Sequence, residues 1–234
     1  MTNLPEPFYE ADGITIYCGD NREILPLLAG PFDLLLTDPP YGIGEARDKV
    51  SRGKLKGFNG KRQTLAFTRD YGSDDWDDEP ADPETLKWAI HICRFATIFG
   101  GNFFALPASS CWLVWDKDNA GTDFADCELA WTNFKTAVRK FKWRWNGMLQ
   151  EDMANKEIRF HPTQKPEALM RWCIAHADKA GKRRAESILD PWGGAGTTAV
   201  AAKLMGRRCV MIERERKYCE AAAERLAQGV LLPV

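Results

Sequence analysis

Ser187-Ile-Leu-Asp190-Pro-Trp-Gly-Gly-Ala-Gly196-Thr-Thr-Ala199 is a short apolar run that ends in an acid, turns through glycines and continues in small helix-forming residues. Within it, Gly194-Ala-Gly196-Thr-Thr-Ala199 satisfies the spacing G-x-G-x-x-G/A, in which small residues let the backbone approach a nucleotide-like ligand at a helix start. A helix over Thr197–Met205, a second buried strand over Arg208–Glu213 and a helix over Glu215–Ala227 follow. Glu213 lies 19 residues after Gly194, at the strand tip, where a carboxylate can accept hydrogen bonds from ribose hydroxyls. A plain structural turn with a surface glutamate has the same letters, and the unit alone does not separate a dinucleotide from S-adenosylmethionine. Only 21 residues follow Glu213, too few for the rest of a dehydrogenase sheet. The partner elements are therefore expected upstream, with the nucleotide-binding half last.

Upstream, Ile14–Cys18 and Phe32–Thr37 are short apolar runs bounded by Gly and Pro, as in buried parallel strands. Asp82-Pro83 opens a helix in which Leu86, Ile90, Cys93 and Thr97 share a face. Strands are predicted near Thr97–Phe104 and at Trp112–Trp115. Val138–Trp145 alternates Phe141, Trp143 and Trp145 with Lys140, Lys142 and Arg144, the pattern of a half-buried antiparallel strand. Pro166–Ala177 reads as a helix with Leu169, Trp172, Cys173 and His176 in one stripe. This alternation predicts an α/β, doubly wound, mostly parallel sheet with an antiparallel edge, in one domain over 1–234.

The 234 residues are 44% hydrophobic and 28% charged, which excludes disorder as the default state. No stretch approaches the roughly 20 apolar residues of a membrane span, and Met1 to Glu10 has no leader pattern, so a cytoplasmic protein is expected. Seven cysteines without a C-x-x-C pair read as buried apolar residues in a reducing compartment, and scattered His and Cys give no metal site. The 32 basic and 33 acidic residues are segregated. Arg47, Lys49, Arg52, Lys54, Lys56, Lys61, Arg62 and Arg69 precede a stretch, 70–84, with acids and no base. The basic part contains glycines and lacks periodicity, so 43–75 is expected to be a loop insertion.

The strand Phe32–Thr37 leads into Asp38-Pro39-Pro40-Tyr41-Gly42. A strand followed by a proline-stiffened turn would use these letters too. Chemically, the prolines remove backbone donors and leave Asp38 and nearby carbonyls as acceptors for an amino group, with Tyr41 able to stack on a planar ring.

Asp38-Pro-Pro-Tyr41, His161-Pro-Thr-Gln-Lys-Pro166 and the turn Asp190–Thr198, in that order, resemble the beta group of DNA amino-methyltransferases, whose cofactor turn follows the catalytic motif. Tyr17-Cys-Gly-Asp20 is similar to the strand end whose acid contacts the cofactor's adenine. The resemblance implies a permuted, seven-stranded methyltransferase sheet and S-adenosylmethionine held by Asp190, Trp192, Gly194, Gly196 and Thr197. Glu213 would lie on its ribose, Asp20 near its adenine and Thr163 and Lys165 toward its methionine end, with His161 among the cofactor-binding residues. The base would be rotated out of the duplex, with Asp38 and the Pro39 carbonyl accepting its amine hydrogens and Tyr41 stacking on it. DNA would be gripped by the eight basic residues of 47–69, and no metal is needed because a neutral thioether leaves. Trp192 stands where phenylalanine is usual, and only Leu149 to Phe160 occupies the place of a sizeable recognition region. Adenine N6 is the expected target. Cytosine N4, an RNA substrate and an inactive nucleic-acid-binding module remain alternatives, and a homodimer is expected from the group's habit.

Overall fold

The computed structural model describes residues 3–43, 79–119, 125–146, 149–161 and 163–228. The basic residues from Arg47 to Arg69 and most of the acidic stretch lie outside the described residues.

The elements are β1 (Tyr9–Ala11), β2 (Ile14–Cys18), α1 (Asn21–Ile24), β3 (Phe32–Thr37), α2 (Pro83–His91), β4 (Cys93–Phe99), β5 (Trp112–Asp116), β6 (Cys127–Thr132), β7 (Arg139–Lys142), β8 (Trp145–Asn146), β9 (Leu149–Gln150), α3 (Glu167–Gly181), β10 (Ser187–Asp190), α4 (Thr197–Leu204), β11 (Arg208–Glu213) and α5 (Arg216–Ala227). Among the described residues one sheet has nine strands, in the order β1-β2-β11-β10-β3-β4-β6-β5-β7, and β8 pairs with β9 apart from it. The sequence predicts seven. The two strands beyond that reading are β1, which folds back antiparallel on β2, and β6, which lies antiparallel between β4 and β5.

Strand periodicity divides the core. Leu34 and Leu36 of β3, with Ile188 and Met211, pack under α3, α4 and α5; Leu35, Leu189 and Ile212 pack on the opposite face with α1 and α2. Helices therefore cover both faces of a sheet whose central strands β2, β11, β10, β3 and β4 are all parallel.

Three local expectations need correction. The stripe Leu86, Ile90, Cys93, Thr97 runs past the helix: α2 stops at His91, and Cys93 and Thr97 belong to β4. Its start is as read, with Asp82 accepting from the Thr85 amide at 2.8 Å and Pro83 in the first turn. Val138–Trp145 is not one antiparallel strand. β7 runs parallel to β5 and ends at Lys142, while Trp145 starts the small hairpin. Alternation reports which face is buried and not which neighbour is available; β6 already lies between β4 and β5, so only the outer edge of β5 is open. Finally, Cys127 is exposed, although five of the seven free cysteines are buried.

Candidate active site

The carboxyl ends of β3 and β10 build the site. These strands are parallel neighbours, and the chain leaves them in opposite directions, from β10 over one face to β11 and from β3 over the other face to β4. A crevice opens where such crossovers diverge. Thr37 Oγ1 donates to Asp190 Oδ1 at 2.7 Å, tying the two strand ends together, and the Trp192 amide reaches the same oxygen at 3.3 Å. Burial pushes the Asp190 carboxyl up to about 6 against these bonds.

On the β10 side the turn is held by Glu213. Gly194 N donates to Glu213 Oε2 at 2.8 Å and Glu215 N to Oε1 at 2.7 Å. Burial raises the Glu213 carboxyl to about 7, because its partners are neutral amides. Gly194 and Gly196 both have positive φ, 51° and 76°, but for different surroundings. A Cβ on Gly196 would lie 2.7 Å from Ala222 Cβ, so this glycine lets α5 pack on the turn. A Cβ on Gly194 would meet nothing within 4 Å. An open, left-handed backbone position at a helix start suits a close-approaching ligand.

Asp20 caps α1, accepting from Arg22 N at 2.8 Å and from the Arg22 guanidinium, which holds its carboxyl below the usual range. Asn21 Nδ2 donates to Pro191 O at 2.9 Å, which brings the end of β2 beside the turn. Thr163 N and Oγ1 lie 3.3 and 3.0 Å from His161 Nδ1, and the His161 ring meets Tyr218 edge-on at 4.5 Å. Arg225 Nη1 donates to Ala195 O at 2.5 Å and Thr197 Oγ1 at 3.3 Å.

On the β3 side both Asp38 oxygens are engaged. Tyr41 Oη donates to Oδ1 at 2.5 Å and Lys165 Nζ to Oδ2 at 2.5 Å. Lys165 Nζ also lies 3.1 Å from Glu128 Oε2, and Lys117 pairs with Glu128 Oε1. Desolvation dominates at Asp38 and raises its carboxyl despite Lys165. At Glu128 desolvation is outweighed by the two ammonium groups, and the carboxyl falls to about 2. Lys165 is raised by Asp38 and Glu128 in spite of its burial and remains an ammonium. The Tyr41 ring stacks on Phe103 with centroids 4.9 Å apart, and Phe103 is 48% exposed. Pro40 O accepts from Ala81 N at 2.9 Å, fixing the turn after Pro39.

The structure thus places Asp38, Pro39, Pro40 and Tyr41 on one strand end and Asp190, Trp192, Gly194, Gly196, Thr197 and Glu213 on its neighbour. Lys165 joins the Asp38 cluster. Sequence reading missed Lys117, Glu128 and Phe103; the one available signal was an acid, Glu128, inside the otherwise apolar run Cys127–Trp131. Lys140, Lys142 and Arg144 are paired with Asp116 and Asp118, at 3.1 and 2.8 Å for the lysines, which reduces the field of this face. Among the described residues no group of three or more His, Cys, Asp or Glu is arranged to hold a metal, and no helix is long and apolar enough to cross a membrane.

Residues 114–224 match the family model described as DNA methylase. The segment holds Lys117, Glu128, the His161–Pro166 motif, the glycine turn and Glu213. The type II methyltransferase M2.DpnII of Streptococcus pneumoniae is 41% identical over 88 residues, 38% of this chain and 31% of that protein, so the chain spans about a third of the length of this relative. In fold, the chain is similar to the M1.HpyAVI–SAM complex, with TM-score 0.52 and 22% identity over 92% of this chain and 99% of that one. It is similar also to the PvuII DNA methyltransferase described as cytosine-N4-specific, with TM-score 0.51 and 14% identity over 97% and 90% of the two chains. The shared architecture is that of the DNA methyltransferase sheet.

Proposed function

We propose, from the match of residues 114–224 to the DNA methylase model, that this chain transfers the methyl group of S-adenosylmethionine to the exocyclic amine of adenine, N6, in DNA. One observation carries the reading: the Asp38 acceptor and the open glycine turn end two adjacent parallel strands and are linked through Thr37 and Asp190. A methyl donor on the turn and an amine on Asp38 would meet in one crevice.

The residues present fit the cofactor. The space beside Gly194 admits a ligand at backbone distance, and each Glu213 oxygen keeps a lone pair beyond its amide partner for a ribose hydroxyl. Asp20 would lie near the adenine, Trp192 would give an apolar plane, and His161, Thr163 and Thr197 would border the remainder, with Lys165 between the methionine end and Asp38. When bound, S-adenosylmethionine supplies a methyl on a cationic sulfur, and a neutral thioether leaves without metal assistance.

Asp38 and the Pro39 carbonyl accept the two amine hydrogens, drawing the nitrogen lone pair out of conjugation with the ring. Lys165 keeps Asp38 in the acceptor form against its burial. Tyr41 and the exposed Phe103 offer aromatic surface for a base taken out of the stack. Orientation of the lone pair toward the methyl supplies much of the acceleration. Arg47, Lys49, Arg52, Lys54, Lys56, Lys61, Arg62 and Arg69 of the 43–75 insertion are assigned to DNA phosphates, so binding should weaken steeply with salt. The whole chain is read as one methyltransferase domain in a reducing cytoplasm, where its cysteines stay free, and as pairing with a second copy.

The test is to incubate the protein with S-adenosylmethionine and mixed-sequence duplex DNA, digest to nucleosides and identify products by mass spectrometry. N6-methyladenine is expected. N4-methylcytosine would retain the chemistry and replace the base, and absence of product on DNA and RNA alike would overturn the proposal.

A further inference from the structure

The acid that must receive the target amine has both oxygens occupied, Oδ1 by the Tyr41 hydroxyl and Oδ2 by Lys165, each at 2.5 Å. Each oxygen keeps a second lone pair, but one already polarised by a short bond to an ammonium is the weaker acceptor for a further donor. Loosening the Lys165 bond would restore Oδ2 as a full-strength acceptor when the base arrives. Beside it stands a ready alternative: Glu128 Oε2 is buried and has no aligned hydrogen bond, although Lys165 Nζ lies only 3.1 Å away. The other Glu128 oxygen is held by Lys117, whose ammonium lies 5.0 Å from the centroid of the Trp115 ring. Glu128 and Trp115 are direct partners across β5 and β6, so this carboxylate is fixed by two strands. Lys165 has a flexible stem, and its ammonium lies 5.4 Å from the centroid of the Phe99 ring. A movement of a few tenths of an ångström brings it to the roughly 2.8 Å usual for such a pair.

We infer that Lys165 is shared between two carboxylates and passes from Asp38 to Glu128 when the target amine docks, making Glu128 a positioning residue for the reaction. The inference rests on the proposed methyl transfer. Along the line Lys117, Glu128, Lys165, Asp38 the charges alternate, so a neutral amine replaces one hydrogen bond at Asp38 and no ion has to leave the site. Without Glu128 the ammonium has a single partner and stays on Asp38.

The experiment uses the full chain as wild type, Glu128→Gln, Lys165→Met and the double variant. Glu128→Gln is expected to lower kcat on DNA at least tenfold with S-adenosylmethionine affinity unchanged. The double variant, which has no ammonium to block Asp38, should exceed Glu128→Gln at least tenfold above pH 8. Wild-type turnover in Glu128→Gln, or a double variant no faster than it, overturns the inference. A second readout needs no activity and no DNA: titration of the Asp38 carboxyl by ¹³C NMR, with Tyr41, Lys165, Glu128 and Asp190 as the ionisable groups around it. Loss of the Glu128 charge lowers the Asp38 midpoint by lost repulsion alone, so the fall is read in two backgrounds: if Lys165 is shared, Glu128→Gln lowers the midpoint further with Lys165 present than between Lys165→Met and the double variant. An equal or smaller fall with Lys165 present, or a rise, overturns the inference. Should wild type methylate no nucleic acid, the proposed function fails by itself, and this titration still decides the sharing of Lys165.

Discussion

Glu213 and Glu128 are both inward-facing glutamates at the ends of the same crevice, yet burial has opposite outcomes for them. Glu213 is met by two backbone amides and is pushed up to about 7; Glu128 is met by two ammonium groups and drops to about 2. Neutral donors orient a carboxylate without compensating its lost hydration, whereas cations compensate it and bind it into a network. The turn side of the site is thus a shaped backbone with a carboxyl that titrates near neutrality. The β3 side is a chain of fixed charges.

The sharpest way to break this contrast is Asp38→Ala, which removes the acceptor from the charged side and leaves the turn untouched. Methyl transfer should fall by about 10³-fold or more, roughly 4 kcal/mol, while calorimetry finds S-adenosylmethionine affinity within about twofold of wild type. Comparable turnover would sink the role of Asp38. Next in size, Lys165→Met strands Asp38 without a cation and leaves Glu128 with Lys117 alone. Urea unfolding at pH 7 should show a loss of about 3–5 kcal/mol, partly regained in acid as the carboxyls protonate.

Glu213→Gln addresses the neutral side. A carboxyl raised in the folded state above its unfolded value near 4.5 binds more protons when folded. Its stabilising contribution is present below about pH 4.5 and is lost as pH rises toward about 7. The wild type should lose up to about 3 kcal/mol more than Glu213→Gln over that interval, and parallel curves would refute the shift. For Glu128 the sign reverses, with stability present above about 4.5 and lost as pH falls toward about 2. The smallest effect is expected of Gly194→Ala, about 1 kcal/mol from the positive φ alone, read as a lowered midpoint in thermal unfolding. Gly196→Ala should cost more, since its Cβ also meets Ala222.

The sequence discloses those parts of the fold that are local. β2 and β3 begin and end where their apolar runs meet Gly, Pro or Asp, and β10 ends at Asp190-Pro191. β6 escaped because Cys127 and Glu128 interrupt its apolar character, and β1 because three residues carry no period. The parallel placement of β7 was hidden for another reason, since the choice of neighbour is made by the rest of the sheet. The same division holds at the site. The two motifs ending β3 and β10 are contiguous in sequence and readable. The ion pair of Asp38 with Lys165 joins residues 127 apart, and Glu128 and Lys117 enter from two further strands.

β10 and β11 occupy the middle of the sheet, between β3 and β2, but are among the last segments of the described chain. During synthesis, β2 and β3 leave the ribosome with the edges that will face β11 and β10 still unpaired. They wait for well over a hundred residues before those partners are made. Two apolar strands with open edges over that interval are a template for association with other chains. Completion of the sheet is also a closure over long loops and therefore slow. The arrangement that sets Asp38 beside the glycine turn thus makes the pairing of β2 and β3 wait on β10 and β11, made far later in the chain.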